Sequence, residues 1–298
     1  MKNNPIYVEI NIEAPMDELW EARQNPSLHE QWDIRFSSIT YLPKKENEAQ
    51  LFEYRTDVIP GHSVAGWGKS VGSFHAKDSS RTSSLHFGTN QKLSPIKEGK
   101  GYWKYIPKGE SIQFLTQYDY QSNFGILGRI VDKLFFRPGI GWGTALSFDV
   151  LKRWLEKRES PKAQFTRFFL YWSIVTLFSI VWLYHGLVPK IIWTHPEELR
   201  MLSSIIPSAK ATTLLTIMGA LEILFGVVWL FYRKKKHLFL LQLLLFPLLT
   251  LSAILADPNT FTHPFNPFTF NLALFVLSII GYFIGDDIPT AKSCKRKR

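Results

Sequence analysis

The sequence predicts a strand-rich α+β domain followed by an all-α bundle of four transmembrane helices. Three observations carry this reading: a break in composition near residue 160, four long apolar segments beyond it, and alternating polar and apolar runs before it. The elements follow in chain order.

Ile6, Val8, Ile10 and Ile12 alternate with Tyr7, Glu9, Asn11 and Glu13, the period of a half-buried strand, and Pro15 ends it. Met16 to Arg23 then reads as a short helix with Leu19 and Trp20 on its apolar side, and Asn25 before Pro26 starts a second that ends near Trp32. Six strands are expected next: 37–42, 51–58, 64–76, 83–87, 101–106 and 111–121, with Pro60-Gly61 and Lys108-Gly109 among the turns. On the last strand Ile112, Phe114, Thr116, Tyr118 and Tyr120 share one face, an aromatic and partly hydroxylated surface suited to lining a cavity. A helix is expected from about Ile126 to Phe136, broken at Pro138-Gly139 and resuming to about Arg158.

Four apolar segments follow, at about 168–188, 211–232, 238–256 and 268–285. Each has about the length that crosses a bilayer, roughly 20 residues at ~1.5 Å per residue. They carry one carboxylate, Glu222, and His185. The three segments of chain expected on one side carry 15 Lys and Arg (six from Lys152 to Arg167, four at 233–236, five from Lys292 to Arg298), against Lys190, Arg200 and Lys210 on the other. Cations in short loops favour the cytoplasm, so both termini are expected there, in a multi-pass protein of the cell membrane.

The charge excludes a nucleic-acid reading. The chain is +10, but residues 1–157 carry 20 basic and 18 acidic groups, and the remaining excess flanks the spans. Membrane lipids, not nucleic acid, are the partners such a distribution implies. Cys294, the one cysteine, lies in the basic tail, so no disulfide framework exists and the thiol reads as a bystander. His29, His62, His75 and His86 lack zinc-site spacing, no metal is expected, and each reads as an ordinary surface or strand residue. No nucleophile elbow or acid–base set is recognisable, so the catalytic residues are unknown and the residues favour a binding protein over an enzyme.

Polar and small residues recur at helical spacing inside the spans: Thr212, Thr216, Gly219, Glu222 and Gly226 in the second, Asn271, Ser278, Gly281 and Gly285 in the fourth. Such faces meet one another rather than lipid. A carboxylate near mid-bilayer costs roughly 2.5–3.5 kcal/mol on insertion scales unless protonated or paired, which makes Glu222 both a functional candidate and a candidate packing residue. Thr194 with Glu197 fits a capping box, and Leu199, Leu202, Ile205 and Ile206 form a stripe, predicting a short interfacial helix. Trp172, Trp193, Trp229 and Tyr232 are expected as interfacial anchors.

Two resemblances follow from these residues. IYVEINIEAPMDELWEARQNPSLHEQWD, the strand run and LSFDVLKRWLE resemble the START-like or SRPBCC superfamily of helix-grip domains, which includes polyketide cyclase-like proteins; Ala14-Pro15, Trp20, Pro26 and Trp32 carry the likeness over residues 1–158. It implies an antiparallel sheet around a long C-terminal helix, enclosing a pocket for an apolar small molecule or lipid. Trp103, Phe114, Thr116, Tyr118, Tyr120 and Trp142 are its candidate pocket residues, with core packing the competing explanation for each. WLYHGLVPKIIWTHPEELRML, GALEILFG and HPFNPFTFNLAL resemble the DoxX-like four-helix membrane family, at His185, Gly186, Pro189, Lys190, Glu197, Glu222, Pro264, Asn266, Pro267 and Asn271. On that resemblance His185, Glu222 and Asn271 are the membrane-domain candidates.

The chain thus divides into residues 1–158, a basic linker 159–167, a membrane domain 168–285 and a basic tail 286–298. The first reading is binding of an apolar molecule or lipid beside the inner leaflet, and no cofactor is evident. Two alternatives stand beside it. In one, a membrane subunit of a quinone-linked redox system uses Glu222 to manage a proton, with quinone as cofactor and a membrane redox partner. In the other, cyclase-like or hydrolase-like chemistry occurs in the N-terminal pocket. A homo-oligomer is open under each.

Overall fold

A computed structural model describes residues 4–297 apart from 46–47, 60, 92–93, 124, 205 and 263. Pro60 of the first turn, Ile205 of the apolar stripe and Arg298 of the tail lie outside the described residues. The chain forms two compact units, residues 1–165 with 289–298, and residues 166–288.

In the first unit β1 (Ile6–Ile12) leads into α1 (Met16–Gln24) and α2 (Pro26–Trp32). Asn25 caps α2 by accepting from the Ser27 N–H at 3.1 Å, with Pro26 in the first turn where its missing donor is harmless. Trp32 is fully buried, its indole donating to the Ala22 carbonyl at 2.8 Å, which ties α2 to α1.

Six further strands follow: β2 (Ser38–Tyr41), β3 (Leu51–Ile59), β4 (His62–His75), β5 (Arg81–Gly88), β6 (Ile96–Lys108) and β7 (Ser111–Ser122). They form one antiparallel sheet in the order β1-β7-β6-β5-β4-β3-β2. Strands two to seven are a meander, and β1 pairs with β7, from Ile6 opposite Tyr118 to Ile12 opposite Ile112. The two short helices therefore carry the chain from one end of the sheet to the other.

Helix α3 (Gly125–Val131) runs through a π-helical turn at Asp132–Phe136 into α4 (Arg137–Lys157). The break expected at Pro138-Gly139 is absent. Pro138 falls in the first turn of α4, where no N–H is needed, and the wider π turn before it absorbs the irregularity. Leu146, Phe148, Val150 and Leu151 of α4 are fully buried with Val8, Ile12 and Phe114 of the sheet. This sheet gripping a long helix is the helix-grip arrangement.

The C-terminal residues belong to this unit and do not hang free. Glu9 and Lys295 exchange two backbone hydrogen bonds of 2.9 Å, the Thr290 N–H donates to Asp149 Oδ2 at 2.8 Å, and the Cys294 thiol donates to the Ala145 carbonyl at 3.3 Å. Cys294 is therefore a packed residue, and its burial pushes the thiol pKa up to about 12.

The second unit is built from α5 (Pro161–His185) from Thr166 onward, α6 (Pro196–Ser203), α7 (Ser208–Phe231), α8 (Lys235–Ala256) and α9 (Pro267–Ile284). The first apolar helix is longer than the 21 residues expected: it already begins at Pro161, and a π-helical turn at Gly186–Ile192 carries it past Pro189. Among the described residues four helices are long and apolar enough to cross a membrane. Their centre is aromatic: Phe178, Trp229 and Phe239 are fully buried, with Tyr171, Trp182, Phe246 and Leu274 around them.

Three expectations change here. Trp229 is core, not an interfacial anchor, whereas Trp172 and Trp193 are exposed as anchors should be. Thr212 and Thr216 are exposed; the inward face of α7 is Ala211, Leu215, Gly219, Gly226 and Trp229 with the half-buried Glu222 among them, a face rotated away from both threonines. Helix α6 is present, but its cap is His195, whose Nδ1 accepts from Glu197 N–H at 3.4 Å, since Thr194 sits at φ +45°.

Candidate functional site

The interior of the first unit gathers polar groups that the linear sequence scatters. Asp33, fully buried, ends α2 and receives Arg35 through two bonds, Nε to Oδ1 at 2.8 Å and a terminal nitrogen to Oδ2 at 2.5 Å. His29, one turn earlier on α2, places Nε2 at 3.2 Å from Asp33 Oδ2. Ser147 of α4 donates to the Gly143 carbonyl at 2.9 Å and accepts from the Ile34 N–H at 3.0 Å, 3.4 Å from Asp33. Burial opposes the charge on Asp33, but the Arg35 guanidinium outweighs it and holds the carboxyl well below its usual range. The same burial pushes His29 down to about 4 against the pull of Asp33, so the imidazole is neutral at physiological pH.

Around this group stands an aromatic wall. Phe114 stacks on Phe148 at 4.6 Å and on Trp103 at 5.5 Å. Arg35 lies 5.6 Å from the ring centres of both Trp103 and Tyr118, and Arg23 lies 5.4 Å from that of Trp103. Four polar atoms in this region are buried without a hydrogen-bond partner among the described residues: Arg23 Nε, Gln24 Nε2, Trp103 Nε1 and Tyr105 Oη. Arg23 is 7% exposed and donates to Gln24 Oε1 at 3.0 Å, yet no carboxylate among the described residues pairs with it. Buried donors of this kind are costly unless something accepts from them.

In the second unit Lys190 sits between two carboxylates, its Nζ 3.0 Å from Glu222 Oε2 and 3.1 Å from Glu198 Oε2, and donates to the His185 carbonyl at 3.3 Å. The contact with Glu222 is an ion pair without the angle of a linear hydrogen bond. The π-helical turn around Pro189 aims Lys190 at α7. Gly186 and Gly219 allow the approach: a Cβ on Gly219 would meet the Gly186 carbonyl at 2.7 Å and Lys190 Cβ at 2.9 Å.

Residues 179–279 match the DoxX-like family. Over 237 residues the chain is 42% identical to the uncharacterized membrane protein YndG of Bacillus subtilis (strain 168), covering 79% of this chain and 80% of that one. The chain belongs to the YndG family. As a YndG-family member it is a membrane protein, a helix-grip unit joined to a DoxX-like unit of four membrane-length helices. Solved structures with a similar front unit include a STAR-related lipid transfer protein fragment from Xanthomonas axonopodis, 16% identical at TM-score 0.37 over 49% of this chain and 82% of that one. A protein from Arthrobacter aurescens is 12% identical at TM-score 0.39 over 54% and 92%.

In this YndG-family chain the residues singled out from sequence fall in three places. Trp103, Phe114, Thr116 and Tyr118 are on the buried inner face, Tyr118 joined to Thr144 of α4 at 2.9 Å and Thr116 donating to the Tyr102 carbonyl at 3.0 Å. Tyr120 is buried at the end of the same strand, donating to Asp132 at 2.5 Å. Trp142 is 42% exposed and off the inner wall, because it lies early in α4, just before the run of buried residues 143–151. Glu222 joins the Lys190 pair, whose ammonium also donates to the His185 carbonyl; the His185 ring lies 5.6 Å from that of Phe270, and Asn271 Nδ2 donates to Thr250 at 3.0 Å.

Sequence reasoning missed His29, Asp33, Arg35 and Arg23, and it singled out Lys190 only through the DoxX-like resemblance, without its pairing to Glu222 and Glu198. His29 is not an ordinary surface residue: it is 6% exposed and stacks on Trp32 at 4.9 Å. One signal was legible, His29 and Asp33 at i and i+4 on a helix that also holds a tryptophan.

Proposed function

We propose that the helix-grip unit binds an apolar small molecule or lipid with an anionic, hydrogen-bond-accepting end, held at the membrane by the DoxX-like unit of the same chain. The supporting observation is Arg23, a buried guanidinium without a carboxylate, facing a tryptophan whose N–H is equally unsatisfied. The wall of Trp103, Phe114, Tyr118 and Phe148 suits an apolar body, and Arg23 suits its acidic end. Joining such a site to a bilayer raises the effective concentration of lipid around it. The excess of cations on one set of loops supports a front unit and tail in the cytoplasm.

The test is extraction. The full chain is purified in mild detergent, its ligands are identified by mass spectrometry, and Arg23→Leu is compared with the native chain. An acidic amphiphile that co-purifies with the native chain and is depleted in the variant supports the reading. A consistently empty native protein that transfers no lipid between vesicles overturns it.

The quinone-linked alternative gains no separate observation. Glu222 is ion-paired with Lys190, which accounts for a carboxylate in this position by packing and charge balance.

A further inference from the structure

The helical stretch from Gly125 through Phe136 has its inward and outward sides reversed in character from an ordinary surface helix. Its buried residue is charged: Asp132, 2% exposed, accepts from Tyr120 Oη at 2.5 Å and from Arg137 Nε at 3.3 Å. Its outward residues are apolar: Ile126, Leu127, Ile130, Val131, Leu134 and Phe135 range from 49% to 72% exposed. They recur in adjacent pairs every four residues, so they form one continuous stripe. Arg129 and Lys133, both exposed, are the other charges on the stretch. Tyr120, Asp132 and Arg137, with Arg137 also donating to Asp119 at 2.7 Å, pin the helix to the end of the sheet and hold this stripe outward.

Scattered exposed apolar residues are normal, but six large ones in one stripe on a twelve-residue helix mark a surface that is covered in use. The occupant follows from two observations. The chain is a membrane protein, so a lipid surface adjoins it at all times. The charges among the exposed apolar groups are both positive, matching anionic headgroups, whereas an acidic rim would be repelled. We infer that residues 125–136 are a lipid-docking helix, lying in the headgroup region with the apolar stripe in the acyl boundary and Arg129 and Lys133 on lipid phosphates. The inference is independent of what the interior of the unit binds.

The test uses the full chain with Cys294→Ala in nanodiscs of phosphatidylcholine and phosphatidylglycerol. An environment-sensitive fluorophore is attached through Leu127→Cys, Phe135→Cys or, as a water-exposed control, Asp78→Cys. The expected result is blue-shifted emission at Leu127 and Phe135, with quenching by spin-labelled lipid and several-fold weaker quenching by aqueous iodide than at Asp78. In the Arg129→Gln/Lys133→Gln variant the lipid quenching should fall, and more in phosphatidylglycerol discs than in pure phosphatidylcholine. Labels at both helix positions as open to iodide as the control would overturn the inference. So would labels shielded from iodide and lipid quencher alike, because a protein surface would then be the occupant. These readouts do not depend on ligand, so an empty interior would not change them.

Discussion

Acidification should weaken the helix-grip unit through His29 before any carboxylate is affected. His29 faces Asp33 on its own helix, with Arg23 and Arg35 nearby, and burial lowers its pKa from 6.5 to about 4. A folded pKa below the unfolded one means that the unfolded chain binds the proton first. The contribution is therefore fully present above pH 6.5 and is lost as pH falls toward 4. The whole gap is worth about 3 kcal/mol, of which about 2 kcal/mol is lost between pH 7 and pH 5. Asp33 has the same sign, but its loss begins only below the ordinary carboxylate range near pH 4, because Arg35 holds its carboxyl low once burial is outweighed. The assay is urea unfolding of the full chain in detergent at pH 7 and pH 5, read by pulse proteolysis of the front unit, for the native chain and His29→Gln. Glutamine keeps a hydrogen-bonding group toward Asp33 and cannot take a proton. The native chain should lose about 2 kcal/mol and the variant far less. Equal losses in both would refute a buried neutral imidazole.

Lys190→Met should destabilise the DoxX-like unit by about 3–5 kcal/mol, because Glu222 and Glu198 then face each other without a cation; adding Glu222→Gln should restore part of the loss. Thermal unfolding in nanodiscs measures both, and an unchanged single variant would contradict the ion-pair reading. Phe114→Ala should cost the front unit about 3–5 kcal/mol, since its ring is fully buried between Trp103 and Phe148. Gly281→Ala should lower the melting temperature of the full chain, because the new Cβ would lie 2.2 Å from the Phe239 ring; a loss smaller than that of Gly285→Ala, whose nearest neighbour is 2.8 Å away, would show that Phe239 swings aside freely. Cys294 should resist maleimide in the folded chain near neutral pH, where a thiol pushed up to about 12 holds almost no thiolate, and should label once the chain is unfolded in urea.

The periodic parts of this fold were legible in the sequence because periodicity reports burial directly. Ile6, Val8, Ile10 and Ile12 are all buried as their alternation requires, and the inner face of β7 is the one the sequence marks. The four apolar helices follow from length alone. What stayed hidden depends on contacts distant in sequence. Asp33 and Ser147 are 114 residues apart and Glu222 and Lys190 are 32 apart; neither pairing leaves a local pattern. Lys190 falls beyond the expected span 168–188, and the π turn that keeps the backbone helical through Pro189 has no sequence signature of its own. Trp142 went the other way: apolar and at helical spacing with Leu146 and Val150, it precedes the buried run of α4 and stays 42% exposed. The lipid-docking stripe was read only as helix, since an apolar run does not say whether protein or lipid will cover it.

The placement of the tail turns topology into a sharper test than the charge count alone. Lys295 pairs with Glu9 and Thr290 with Asp149, so the residues after the last apolar helix and those before the first belong to one packed unit. A unit cannot lie on two sides of a bilayer, so the number of crossings between residues 165 and 289 must be even, as four apolar helices provide. The loop with fewer cations is poorer still than its sequence suggests, because Lys190 is committed to Glu222 and Glu198. The cation-rich loops should therefore face the cytoplasm. A reporter fused after Arg298 should be active only in a cytoplasmic form, and one inserted near Asn259 only in an exported form. Both reporters on one side would refute the four crossings, whereas a clean inversion would leave the fold standing and refute the orientation.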